Sequence, residues 1–271
     1  MNMSTGWMFA VIFLGACSAP AGENDLAVSG PIPARVMLSD AENQVDPLPA
    51  ARVLIEQRET PGALDQAIAL LNGHLPQEPH SVELLVMLAE AHSRCLEVLD
   101  VKKQADRAPH ELHRTRGRSH AQEALSLAPN HGVAHYWLGC LLLHAADAER
   151  SYGRLKEALP HLVLAQKGAP LTDQGGPARM LGRVYQETPG GFLLGSKPEA
   201  IKWYKKSLEV APDSISTRLW LGETYVAAGQ PALARPELER VIATKPRAGH
   251  KKEDAEYRQK AEALIKNLPS K

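Results

Sequence analysis

The segment from Gly190 to Lys197 reads Gly-Gly-Phe-Leu-Leu-Gly-Ser-Lys, which comes close to a glycine-rich phosphate-binding loop. In that motif Lys precedes Ser or Thr, so that the amine reaches the phosphates and the hydroxyl binds Mg²⁺. Here the order is reversed, and the preceding residues indicate a helix where the motif needs a strand. We therefore predict no nucleotide binding, and expect the apolar residues of this loop, Phe192, Leu193 and Leu194, to pack on the fold or on a partner.

The eleven histidines raise the question of a metal site. His131 and His135 are four residues apart and His110 and His113 three apart, spacings that place each pair on one face of a helix. No glutamate completes a His-Glu-x-x-His arrangement, and no third ligand has a suitable spacing. We therefore predict no metal and no cofactor, and expect these histidines to lie in solvent.

The sequence offers no motif for catalysis or for nucleic-acid binding. It contains no nucleophile elbow and no recognisable triad. The 31 Lys and Arg residues balance the 31 Asp and Glu residues, whereas nucleic-acid-binding proteins usually carry a basic excess. The locally basic stretch 102–120 is interpreted as a solvated helical insertion, with a contact to anionic lipid or to an acidic partner as the alternative. These features favour a binding protein over an enzyme.

The N-terminus has the features of an exported protein. Residues Trp7 to Ala16 form an apolar run of about ten residues, which suits a signal peptide but is too short to span a bilayer. Leu14-Gly15-Ala16-Cys17 resembles the lipobox of bacterial lipoproteins, and this implies that Cys17 is lipidated and becomes the new N-terminus. An ordinary cleaved signal or a buried helix is the alternative.

The lipoprotein resemblance also implies a location. Ser18 stands where an Asp would retain a lipoprotein in the inner membrane, so we predict the periplasmic face of the outer membrane. Residues 1–16 are then the signal peptide. Residues 17–48, rich in Ala, Pro, Gly, Ser and Asp without a period, form a flexible tether between the anchor and a domain at 49–268.

Prolines that follow helical stretches mark an internal repeat in this domain. Small or apolar residues recur twelve, eight and five positions before each of them, as Ala234, Leu238 and Val241 do before Pro246. Offsets of four and three place such residues on one helix face. An upstream helix in four of the units carries its own pair: Leu88-Ala89, Leu138-Gly139, Leu181-Gly182 and Leu221-Gly222. The repeat prolines are Pro79, Pro129, Pro170, Pro212 and Pro246.

The last unit resembles the tetratricopeptide repeat (TPR), including its interval of 34 residues from Pro212 to Pro246. The resemblance implies an all-α fold, a right-handed tetratricopeptide-like α-solenoid of about five helix hairpins. Residues 251–267 predict a charged amphipathic C-terminal helix that covers the open end of the stack. Ser196 is the expected N-cap of one helix, and Asp213 and Ser214 can cap the next.

The inserted loop at 188–196, followed by a regular repeat and a charged terminal helix, is similar to the periplasmic TPR lipoproteins described as T components of TRAP-type transporter systems. That resemblance implies a non-catalytic component that binds a partner or ligand. Its expected partners are a periplasmic solute-binding protein, a small organic acid and further copies of the chain. The alternative function is a scaffold lipoprotein for outer-membrane, pilus or peptidoglycan assembly machinery.

The first helix of each hairpin lines the concave groove in TPR stacks, which assigns a set of groove positions by resemblance. Arg179 and Arg183, four residues apart, are expected to project together and to bind a carboxylate with Tyr136. Cys95 and Cys140 fall in adjacent first helices, where either a disulfide or two buried thiols fit. The groove positions are Glu83, Val86, Glu90, Tyr136, Cys140, Arg179, Arg183, Gln186, Leu219 and Glu223.

Overall fold

The computed structural model describes residues 46–99, 103–190, 194–247 and 249–269. Cys17, the predicted signal peptide and nearly all of the predicted tether lie outside these residues. Within the described residues the chain forms eleven α-helices and no strand. They are α1 Pro47–Glu56, α2 Ala63–His74, α3 Val82–Val98, α4 Gln104–Leu127, α5 Gly132–Glu149, α6 Tyr152–Gly168, α7 Gly176–Glu187, α8 Lys197–Val210, α9 Ile215–Ala227, α10 Pro231–Ala243 and α11 Lys251–Lys266.

Consecutive helices pair into five hairpins, from α1 with α2 to α9 with α10, and α11 packs on α9 and α10. The first helices of successive hairpins contact one another along the stack, so they form its inner, concave side. The second helices lie outside. The predicted α-solenoid of about five hairpins with a C-terminal capping helix is confirmed.

The repeat pattern marks the places where paired helices touch most closely. A Cβ at Gly139 would lie 2.7 Å from a methyl of Leu162, and one at Gly222 would lie 2.6 Å from a methyl of Leu238. A larger side chain at either glycine would push the second helix of the hairpin away. The small residues of the proline-phased pattern, such as Ala234, are fully buried. The Leu-Gly pairs and the proline-phased alanines are thus the two halves of each hairpin interface.

Short polar side chains begin several helices, as the sequence predicts. The hydroxyl of Ser196 accepts a hydrogen bond from the backbone N–H of Glu199 at 3.3 Å, and that of Ser214 accepts one from Thr217 at 3.4 Å. These bonds satisfy backbone donors that the first helical turn leaves free. Leu194, beside the cap, packs against the core, whereas Phe192 and Leu193 lie outside the described residues.

The two ends of the solenoid meet. The carboxylate of Glu59, just after α1, accepts hydrogen bonds from the backbone N–H groups of Lys252 at 2.9 Å and Glu253 at 3.1 Å, and so caps α11. Arg58 pairs with Glu253 at 3.4 Å. Gly249 has φ +74°, and a Cβ there would lie only 2.3 Å from the carbonyl oxygen of Glu56. This end contact closes the concave side.

Two expectations about polar residues are wrong. Four histidines, namely His92, His110, His135 and His144, are buried rather than solvated. The described part of the basic stretch 102–120 is helical and mostly exposed, as expected, but it is not an insertion, because nearly all of it belongs to α4, whose inner face buries His110 and Arg114. Pairing of Arg114 with Glu111 and Glu149, and of His92 with His113, offsets part of the cost of burial.

Both candidate disulfide cysteines are buried free thiols in the structure. Burial raises the pKa of Cys95 and of Cys140 to about 12. Thiols with such a high pKa are protonated and therefore unreactive at neutral pH. Of the two arrangements that fit the sequence, the structure has the buried thiols.

Candidate functional site: an arginine-lined cavity

A cavity of about 390 Å³ lies on the concave side of the solenoid. It is bounded by α1, α3, the start of α5, the turn 169–175 between α6 and α7, and the segment before α11. Its volume falls in the range of small-molecule sites, which is roughly 300–1,000 Å³. Its lining residues are Arg52, Ile55, Glu56, Arg58, Glu90, Arg94, Val133, Trp137, Thr172, Asp173, Gln174, Arg247 and His250.

The carboxylate of Asp173 bonds to three other side chains around the cavity. It accepts hydrogen bonds from Arg94 Nη2 at 2.6 Å, from Arg179 Nη2 at 2.5 Å and from the Tyr136 hydroxyl at 2.7 Å. Burial opposes its ionisation, but the two guanidinium groups and the hydroxyl outweigh burial and hold the pKa of Asp173 well below its usual range. Asp173 is therefore a fixed negative charge that joins three helices to one turn.

The turn that carries Asp173 has an uncommon backbone. Asp173 and Gln174 have φ values of 50° and 53°, in the left-handed region that residues other than glycine seldom occupy. Arg179 Nη1 donates to the carbonyl oxygens of both residues, at 2.9 Å and 3.1 Å. One arginine thus holds both the backbone and the side chain of this turn in place.

Ion pairs connect this turn to the end contact. Arg94 stacks on the Trp137 ring, 4.8 Å from its centroid, and pairs with Glu97 at 2.8 Å. Glu97 lies 3.7 Å from Arg58, which in turn pairs with Glu253 of α11. A continuous chain of charges therefore runs along the cavity wall through Asp173, Arg94, Glu97, Arg58 and Glu253.

Arg52 differs from the other arginines of the cavity. Its side chain is 42% exposed, against 8% for Arg94 and 11% for Arg58, and among the described residues it pairs with Glu90 at 2.7 Å. Glu90 is buried, so only the guanidinium side of this pair is open to solvent. Arg52 is the cavity guanidinium best able to leave its internal partner for a ligand.

The structure separates the predicted groove residues into two groups. Glu90 lines the cavity, and Tyr136 and Arg179 hold its Asp173 from behind. Arg183 faces a different set of partners, Glu187 at 3.0 Å and Glu223 at 3.4 Å, with its guanidinium over the Trp220 ring. Gln186 accepts a hydrogen bond from the Tyr204 hydroxyl nearby. Arg179 and Arg183 therefore have different carboxylate partners, although they are one turn apart.

The remaining predicted positions are structural or solvated. Val86 and Leu219 belong to the core, Cys140 is buried beside it, and Glu83 is exposed. Sequence reasoning missed several cavity residues. Arg94 had a usable signal, because it lies four residues after Glu90 on the same helix face. Asp173 and Arg247 stand in non-periodic segments between helices, which gave no signal.

The guanidinium groups of the cavity suit anion binding. They recognise planar anions such as carboxylates through paired hydrogen bonds. Among the described residues, no group of three or more His, Cys, Asp or Glu side chains is placed to hold a metal ion. In the part of the chain that the structure describes, no helix combines the length and apolar character that crossing a bilayer requires.

Comparison with known proteins bears on the fold. The sequence matches no protein-family model and no curated protein. The structure is similar to TTC0263, a thermophilic TPR protein of Thermus thermophilus, with a TM-score of 0.58 and 20% sequence identity over 81% of this chain and 97% of that chain. It also matches MamA of Desulfovibrio magneticus RS-1, with a TM-score of 0.45 and 19% identity over 83% and 99% of the two chains. The likeness to TTC0263 establishes a TPR-like solenoid.

Proposed function

We propose that this chain is a non-catalytic binding component of the bacterial periplasm, anchored through Cys17, that holds a small organic acid in the arginine-lined cavity and acts together with a partner protein. The solute-binding protein of a TRAP-type transport system is the proposed partner. The observation that carries the proposal is the cavity itself, a small, partly open space with four guanidinium groups in its wall.

The exposed guanidinium of Arg52 favours an anionic ligand. The other arginines of the wall, Arg58, Arg94 and Arg247, are paired with carboxylates of the chain and are less exposed than Arg52. A ligand carboxylate would take the place of Glu90 on Arg52. Guanidinium groups bind carboxylates through paired hydrogen bonds, which supply both affinity and orientation. A small organic acid therefore suits this cavity better than a neutral or cationic ligand.

The end contact disfavours a peptide as the ligand. An extended peptide in a TPR groove needs an open channel, whereas here α11 and the first hairpin bridge the concave side. A protein partner would instead use the outer surface. Leu127 and Val210 end α4 and α8, and Leu171 lies in the turn after α6, and all three are exposed apolar residues beside the turns that join successive hairpins. This edge also suits the alternative function, a scaffold for envelope assembly machinery.

The test is binding of succinate, malate, glutamate and lactate to the mature chain. Thermal unfolding and calorimetry measure the binding. At least one of these acids should bind. Arg52→Gln keeps the polarity but removes the charge, and should weaken that binding roughly 10- to 100-fold, because a hydrogen bond to a charged group is worth about 1.5–3 kcal/mol. Arg240→Gln, an exposed arginine on α10, is the matched control and should bind like the unmodified chain.

Two results would count against the small-ligand function: no acid binds, or Arg52→Gln binds as well as the control does. The partner is tested separately, by pull-down from solubilised envelopes with a Cys17→Ala variant to assess anchoring. Recovery of a solute-binding protein supports the transport role. Recovery of assembly proteins alone supports the scaffold.

A further inference from the structure

Five imidazoles meet where α4 packs between α3 and α5. They form the histidine cluster, which consists of His92 on α3, His110, His113 and His120 on α4, and His144 on α5. The Nδ1 atoms of His92 and His113 are 2.9 Å apart. The rings of His92 and His120 are stacked with centroids 5.7 Å apart, and His110 meets His144 edge to face at 6.3 Å.

Histidines take the place of aliphatic residues in this interface. The buried residues of α4 are His110, Arg114, Gly117, Ala121 and Ala124, so its N-terminal part buries no aliphatic side chain larger than alanine. Gly117 allows the close approach, since a Cβ there would lie 2.8 Å from a methyl of Leu141 and 2.9 Å from the Cβ of His92. Up to this glycine, the attachment of α4 depends on imidazole contacts and on the ion pair between Arg114 and Glu149 of α5.

The contact between His92 and His113 requires that at least one of the two rings is neutral. A hydrogen bond between two Nδ1 atoms uses one N–H donor and one lone pair, and so permits one shared proton. When both rings are protonated, two N–H groups point at each other and two positive charges lie side by side. The contact between His92 and His113 cannot survive in that form.

The charged groups around the cluster do not offset added protons. Arg114 and Arg116 repel protonation of the neighbouring imidazoles. Glu111 and Glu149 are engaged with Arg114. The acids that favour protonation are Glu111 for His110, Asp65 of α2 for His113 and Glu123 for His120, yet burial outweighs each of them and lowers the pKa of all three histidines.

The two deepest histidines respond most strongly. Burial, followed by the neighbouring imidazoles and arginine, lowers the pKa of His92 and of His144 to about 3. A released α4 returns these rings to water and to an ordinary pKa near 6.5. Release therefore takes up protons, so the attached form is stable above about pH 6.5 and loses stability as the pH falls below it.

We propose that the histidine cluster is an acid-sensitive latch that releases the N-terminal part of α4, residues 104–120, from α3 and α5 in mildly acidic surroundings. The C-terminal part of α4 stays attached through Ala121 and Ala124, which are fully buried. Helices α7 to α10 contain no histidine, so the second half of the solenoid stays folded. A bacterial periplasm follows the external pH, so at the proposed location a fall in external pH would release the latch.

Hydrogen exchange of the mature chain at about pH 7.5 and about pH 5.5, corrected for intrinsic exchange rates, tests the latch directly. Protection of residues 104–120 should fall at least ten-fold further on acidification than protection of α8. An equal change in both segments would overturn the proposal. The full experiment is repeated with excess EDTA and with added Zn²⁺. If protection at neutral pH depends on the metal, the cluster is a metal site and the latch is rejected.

The double variant His92→Gln, His113→Gln removes two of the five cluster histidines but keeps polar side chains, and should clearly reduce the acid-specific loss of protection. His80→Gln, an exposed histidine before α3, is the matched control and should keep the full response. If the double variant does not fold, histidine NMR of the unmodified chain decides. The proposal requires cluster histidines to gain protons together with the loss of α4 protection, and titration with α4 still protected would refute it.

Discussion

The hairpin of α9 and α10 and the hairpin of α3 and α4 have the same shape but different interiors. In the former, Leu221, Gly222, Ala234, Leu238 and Val241 are all buried, and this apolar packing joins the helices together with the ion pair between Arg218 and Glu237. In the latter, α4 presents histidines and an arginine to its neighbours, and α3 presents Glu90 and Arg94 to the cavity. The regular hairpin shows what the fold needs. In the other hairpin, polar groups take apolar positions at the proposed ligand cavity and at the proposed latch.

The largest effect on stability is expected among the buried polar groups, at Asp173. Asp173→Ala leaves Arg94 and Arg179 without their shared carboxylate, and removing one partner of a buried charge network costs about 3–5 kcal/mol of unfolding free energy. Urea unfolding at neutral pH measures the loss. Asp213→Ala, an exposed aspartate between α8 and α9, is the control and should change stability by less than about 0.5 kcal/mol. Equal effects of the two would mean that the Asp173 network does not hold the turn.

The apolar interior of the hairpin of α9 and α10 gives the next largest effect on stability. Leu238→Ala removes the side chain that packs on Gly222, and such a truncation in a core costs about 2–5 kcal/mol. No ionisable group is involved, so the loss in urea unfolding should be the same at neutral and mildly acidic pH. A loss that changed with pH would show that the regular hairpin is coupled to the histidines.

The smallest effect is a pH-dependent loss of stability, which is expected from the histidine cluster and not from the hairpin of α9 and α10. His92 and His144, whose pKa values burial lowers to about 3, should each cost about 1.4 kcal/mol of stability at one pH unit below the ordinary histidine pKa of about 6.5, because the unfolded chain takes up the proton. His144→Gln should therefore reduce the acid sensitivity of the first half of the chain by about this amount, as followed by unfolding from about pH 7.5 to 5.5. The His80→Gln control should leave the pH profile unchanged, and an identical shift in both variants would contradict this assignment.

The sequence predicts the fold well because repeat signals are local. Proline phasing, the Leu-Gly pairs and the caps at Ser196 and Ser214 each act within about one hairpin, and all of them appear in the structure. The terminal amphipathic helix was also predictable. Its second role was not, because the contact of Glu59 with Lys252 joins non-periodic segments 193 residues apart.

The site was predicted only in part, because its contacts join residues that are far apart in the sequence or lie in non-periodic segments. Tyr136 and Arg179 were expected to meet a carboxylate, and they do meet one, that of Asp173 in the chain's own turn. The position of Asp173 depends on a turn with left-handed backbone, which the helical periodicity of the sequence does not predict. The histidines were expected in solvent because their partners, such as His113 for His92, lie on a different helix 21 residues away.

A crystal structure of the mature chain with the tightest-binding small organic acid is the sharpest test of whether the arginine-lined cavity is a ligand site. We predict that the acid lies inside the cavity with its carboxylate on the Arg52 guanidinium. Glu90 should be displaced from that guanidinium, and Asp173 should still be held by Arg94 and Arg179. An acid bound on the outer surface, or a cavity in which Arg52 still pairs with Glu90 while the acid lies elsewhere, would contradict it.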